Sequence, residues 1–127
     1  MKLDYKFIKQ ILETMENYDG HQICLGNLME IISINDENED KFIGHIKILA
    51  DYDCIDTSSS EMGFRYGIDG SLSINGGSRY RLTARGYEFL DVLKQDKILN
   101  KIKDYAIPTA FEIGKNLLTE FLSGMIK

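Results

Sequence analysis

Apolar residues recur every third or fourth position in some stretches of the chain and every second position in others, and that change of period lays out its elements. Phe7, Ile8, Ile11, Leu12 and Met15 make one face of a first helix, with Lys6, Lys9, Gln10, Glu13 and Glu16 on the other. Asp4 is placed to cap this helix, and Asp19-Gly20 to end it. A short edge strand follows over Gln22 to Leu25, closed by Gly26-Asn27. Leu28, Met29, Ile31 and Ile32 then form a compact apolar cluster, better read as a short helix, although a strand also fits at this length.

The next helix is plainer. Asn35 or Asp36 caps it, Glu37, Glu39 and Asp40 crowd its first turn, and Phe42, Ile43, Ile46, Leu49 and Ala50 supply a buried stripe to about Tyr52. Cys54 to Thr57 alternates like a strand, a polar glycine-rich stretch runs from Ser58 to Gly77, and Tyr80 to Thr83 alternates again, so the two strands enclose a β-hairpin wing. Thr83 caps a helix carrying Tyr87, Phe89, Leu90, Val92 and Leu93, and Asp96 opens another that reaches about Tyr105. Pro108 breaks the run, and from Thr109 a last amphipathic helix carries Ala110, Ile113, Leu117, Leu118, Phe121, Leu122 and Met125 on one face. Helix, short strand, helix, helix, strand, wing, strand, helix is the order of a winged helix-turn-helix body, an α+β fold, followed here by a helical tail.

Composition sharpens this picture in three ways. The chain has 127 residues, and compact domains cluster near about 100 to 150. We therefore expect one core, with a winged-helix domain over residues 1–95 and a helical extension over 96–127. With 43% hydrophobic residues, 28% charged residues and a single proline, the chain is expected to be ordered almost throughout. Cys24 and Cys54 sit among apolar neighbours, as buried thiols of a reducing cytoplasm do. No leader pattern opens the chain, and no apolar run approaches the ~20 residues that a bilayer requires, so neither secretion nor a membrane span is expected.

Three stretches carry a family likeness: MKLDYKFIKQILETME, FIGHIKILADYDCID and YRLTARGYEFLDVLKQDKILNKIK. Together they resemble a bacterial and prophage family, domain-of-unknown-function family 2513, whose members are short proteins with a winged-helix-like body and a helical tail. The most specific part is LTARGYEFLD, a pattern that also resembles one found loosely in many winged-helix regulators, which implies that Leu82 packs the wing strand and Gly86 lets the next helix lie close. The chain departs from the family in carrying Leu99 near the place where members usually have tryptophan. The resemblance implies no activity, but it does imply a phage or mobile-element setting.

Catalytic groups are sparse. His21 and His45 are the only histidines, without HxxxH or HExxH spacing and without a CxxC pair, so neither a metal nor a cofactor is expected. The glycines of the wing have no phosphate-cradling spacing. We expect a binding protein and not an enzyme.

Two kinds of partner fit. A DNA-binding regulator would use Lys41, His45 and Lys47 on the third helix with Arg65, Tyr66, Arg79 and Arg81 of the wing. A net charge of -5 weighs against that role, as do the carboxylates Asp36, Glu37, Glu39 and Asp40 at the helix end that would meet the major groove. A protein-interaction module, such as an anti-defence factor that displays carboxylates where phosphates would sit, would turn the same four residues toward a basic host protein. The last helix must hide an apolar face, so Ile113, Leu117, Leu118, Phe121 and Met125 are expected either to join two copies in a homodimer or to fold back on the body.

Overall fold

The computed structural model describes residues 1–59 and 61–124 and has the expected α+β class. Helix α1 (Tyr5–Asn17) opens where Asp4 Oδ1 accepts the Phe7 N–H at 3.1 Å, a cap that contributes about 1 kcal/mol. Strand β1 (Ile23–Cys24) runs directly into α2 (Leu25–Ile32). Gly26 and Asn27 therefore lie inside the first turn of a helix and do not close the strand, as the sequence suggested. The reason is a distant one. A helix start leaves its first N–H groups unpaired, and here the Leu25 N–H donates to the Ser78 carbonyl at 2.7 Å and the Gly26 N–H to the Gly76 carbonyl at 3.0 Å.

Ser33, with φ of 68°, ends α2 in the left-handed region. Helix α3 (Glu39–Asp51) is preceded by a turn in which Asn35 Oδ1 accepts the N–H groups of Glu37 and Asn38. Asn35, one of the two expected caps, thus satisfies the chain just ahead of the helix, and α3 proper starts later than its charge pattern implied.

Strand β2 (Ile55–Thr57) and strand β5 (Arg79–Leu82) are the expected base of the hairpin, and β5 lies between β1 and β2 in one antiparallel sheet. The register sets Ile55 opposite Leu82 and Asp56 opposite Arg81 on one side, and Ile23 opposite Tyr80 on the other. Tyr80 and Leu82 are buried, while Arg79 and Arg81 point outward. Between these strands the glycine-rich stretch holds a second hairpin, β3 (Phe64–Tyr66) paired with β4 (Leu72–Ile74), which the sequence did not suggest. Phe64 is buried, and the Tyr80 hydroxyl donates to the Met62 carbonyl, so this hairpin is anchored to the body and is not simply a loose loop.

Three helices complete the chain: α4 (Ala84–Leu93), α5 (Asp96–Ile102) and α6 (Ile107–Leu122). Thr83 caps α4 by accepting the Gly86 N–H at 3.0 Å. A Cβ at Gly86 would lie 2.0 Å from the Cys54 carbonyl oxygen, so only glycine lets α4 approach the start of β2 this closely, as the LTARGYEFLD pattern implied. Pro108 sits in the first turn of α6, where a missing N–H costs nothing, and the helix starts ahead of it instead of after it. One hydrophobic core takes in residues from every helix: the rings of Tyr5, Phe89 and Phe111 form a chain from α1 through α4 to α6, with centroids 6.2 Å and 5.6 Å apart.

The tail packs on its own body with a face turned from the expected one. Ile107, Ala110, Phe111 and Gly114 are its buried residues, and a Cβ at Gly114 would come within 2.3 Å of Val92 Cγ1 on α4. Ile113, Leu117, Leu118 and Phe121 are only half-buried and Leu122 is exposed, while Met125 lies outside the described residues.

Candidate functional site

Helix α3 holds both sets of candidate residues, so its surroundings decide what the domain presents. Asp36, Glu37 and Asp40 are exposed and Glu39 is half-buried, all within the turn that leads into α3 and its first turn. Among the described residues none of the four is in an ion pair. Carboxylates at this end favour the helix dipole by about 0.3 to 1 kcal/mol each, and the arrangement leaves them free for solvent or a partner.

The basic candidates are placed differently. Lys41 Nζ lies 2.6 Å from Asp4 Oδ2 and 4.9 Å from the centroid of the Phe7 ring, which ties α3 to the cap of α1. Arg65 pairs with Glu61 and Arg81 with Asp56, each at 3.4 Å. Lys47 and Tyr66 come together, the ammonium 5.2 Å from the ring centroid, a side-chain contact between α3 and the tip hairpin. Arg65 projects from the other face of β3. Only Arg79, on the outer face of the sheet, has neither a carboxylate nor an aromatic partner among the described residues.

His45, expected on the third helix among the residues that would meet DNA, is instead turned inward. It is 0% exposed. Its Nε2 accepts the Asp4 N–H at 3.0 Å and its Nδ1 lies 2.7 Å from the Lys41 carbonyl, a geometry that requires the neutral ring with its proton on Nδ1. The Phe7 ring meets it edge-on at 5.4 Å. The sequence pattern could not show this, because the backbone group that needs the imidazole belongs to the N-terminal arm. The same arm also covers α3 at Gly44, where Met1 Sδ occupies the space a side chain would take.

Burial pushes the His45 imidazole below its ordinary range, against the pull of its hydrogen bond to Lys41. The unfolded chain therefore takes up this proton at a higher pH than the folded one. The contribution of neutral His45 to stability is full above about pH 6.5 and is lost as the pH falls below that value. We expect the melting temperature to drop between pH 7 and pH 5, and the drop to be smaller in His45→Gln; equal slopes in the two proteins would refute this role.

The two cysteines complete the inventory of reactive groups. Cys54 is buried, and its thiol is pushed up to about 11 by desolvation, which makes it inert; Cys24 is half-buried. No helix among the described residues is long and apolar enough to cross a membrane.

A small α+β domain with an acidic helix end and an anchored hairpin is the class these features define. The chain belongs to the family described as Hypothetical protein (DUF2513), which matches residues 2–112 and so extends through the body to the start of α6. No curated protein and no solved structure matches it.

Proposed function

We propose that this is a winged-helix module that works by binding a basic protein partner, without catalysis. In this reading α2 and α3 are the helix-turn-helix pair, β2 and β5 the base of the wing and β3 and β4 its tip. The observation that carries the proposal is the state of the charges on α3. Its open end displays four carboxylates free of ion pairs among the described residues, whereas Lys41 is paired, Lys47 lies over Tyr66 and His45 is buried. A helix entering the major groove brings its N-terminal residues near the phosphates, and like charges there oppose binding. A cationic protein surface meets the same residues favourably. A phage or prophage factor that occupies the phosphate-binding surface of a host nucleic-acid enzyme is a concrete form of this role.

One observation favours a second reading, a DNA-binding regulator that uses its wing. Arg79 is unpaired among the described residues and shares the outward face of β5 with Arg81. Pull-down from phage-infected or lysogenic cells, with recovered proteins and DNA both identified, separates the two. The triple change of Glu37, Glu39 and Asp40 to Gln should lower capture of a basic protein about tenfold or more and leave DNA recovery at background. Sequence-specific DNA binding that the Gln changes strengthen, and that Arg79→Ala with Arg81→Ala removes, would overturn the first reading in favour of the second.

A further inference from the structure

We propose that the cleft between the start of α1 and the end of α5 binds a small phosphorylated ligand of nucleotide size. The inference is independent of the partner-binding reading, because it concerns another surface. The cleft has a volume of about 490 Å³, and its charged lining comes from Lys2, Asp4, Lys6, Lys41, Lys103 and Asp104. Asp4 already neutralises Lys41 at 2.6 Å. That leaves Lys2, Lys6 and Lys103, all exposed and none in an ion pair among the described residues, against the single carboxylate of Asp104. In a chain of net charge -5 this is a local reversal of sign. The first residues of α1, Tyr5 and Lys6, line the same cleft, but the positive end of that helix is already capped by Asp4, so the ammonium groups alone supply the field. Lysines bind phosphoryl oxygens as point charges that need no fixed fork, which suits a compact, freely oriented anion.

The size of the ligand follows from what adjoins the cleft. A second groove of about 790 Å³ shares Lys6 and Leu99 with it and continues along α1 past Gln10 to Tyr18 and Ile31; Glu13, Asp19 and Asp96 also line it, so the excess of positive charge is confined to the first cleft and only an uncharged organic part suits the second. Sites of about 300 to 1,000 Å³ hold organic ligands of drug or cofactor size. The lysines would hold phosphoryl groups, and the organic part would lie along α1 over Leu99. A long polyanion is disfavoured, because the carboxylates of the first turn of α3 stand beside Lys41.

Isothermal titration of the whole chain at low salt, with ATP, inorganic tripolyphosphate and a short DNA duplex as probes, tests this. ATP should bind saturably and more tightly than tripolyphosphate. The pair Lys6→Ala and Lys103→Ala should weaken both at least about tenfold, while Lys97→Ala with Lys101→Ala, which removes the same charge from α5 outside the cleft lining, should leave them unchanged. All four lysines are exposed, so each double variant is expected to fold, and an unchanged melting curve verifies it. The site is overturned by the absence of saturable binding of either phosphate compound, by equal losses in the two double variants, or by a duplex that outcompetes ATP. An ATP affinity no better than that of tripolyphosphate overturns the role given to the adjoining groove.

Discussion

Gly86→Ala should destabilise the protein by about 3 kcal/mol or more, near the upper end of what overpacking a core costs. In an exposed helix the same change would stabilise by about 1 kcal/mol, because alanine is the better helix former, so the sign of the effect is diagnostic. The added methyl would lie 2.0 Å from the Cys54 carbonyl oxygen and 3.2 Å from Leu82 Cδ2. That oxygen has no room to retreat, since it accepts the Thr83 N–H at 3.2 Å while the Thr83 hydroxyl donates to the neighbouring Asp53 carbonyl. Gly44→Ala makes the matched control. Its methyl would meet only the end of the flexible Met1 side chain, which is 69% exposed and free to swing aside. Urea denaturation of both variants should give shifts of opposite sign or very unequal size. Equal shifts would mean that α4 does not depend on this close approach.

Phe111→Ala should cost about 3 to 5 kcal/mol, as large-to-small changes at buried aromatic positions do. The ring is 2% exposed, packs on Phe89 and lies under the Arg85 guanidinium, 4.4 Å from its centroid. Against a total stability of about 5 to 15 kcal/mol, that loss is enough to free α6 from the body. Limited proteolysis should then cut near the α5–α6 junction well before the unmodified chain is cut anywhere. Leu122→Ala, at a position 74% exposed, should stay within about 0.5 kcal/mol of the parent. An unchanged denaturation midpoint in Phe111→Ala would show that the tail is held by other contacts.

Local signals were legible in the sequence and long-range ones were not. The caps at Asp4 and Thr83 could be read because each cap and the N–H that donates to it lie within one turn. The glycine of LTARGYEFLD was equally readable, since that pattern came with a packing role. His45 was misplaced because its partner, the Asp4 N–H, is 41 positions away. The hairpin of β3 and β4 leaves little trace in the sequence because its strands are three residues long, with exposed Arg65 and Ser73 on one face, which gives almost no alternation. In the tail, the spacing of Ile107, Ala110, Phe111 and Gly114 was present, but reading the helix from the far side of Pro108 favoured the stripe through Leu117 and Leu118. The acidic end of α3 could be located from the sequence. Its contrast with the paired lysines and buried histidine is a property of the packed structure alone.

The hydrogen bonds from Leu25 and Gly26 to the carbonyls of Ser78 and Gly76 bear on how the chain reaches its native state. An eight-residue helix is too short to persist by itself in water, and α2 has no side-chain cap at Cys24 to nucleate it. Its first turn is completed by carbonyls just ahead of β5, on the far side of α3 and the whole glycine-rich stretch. The start of the second helix and the segment ahead of β5 are therefore expected to order together, and closing the long loop between them carries an entropic cost. Shortening the glycine-rich stretch through Gly76 and Ser78, which on the surface resembles trimming a dispensable loop, would take away the carbonyls on which the start of α2 rests.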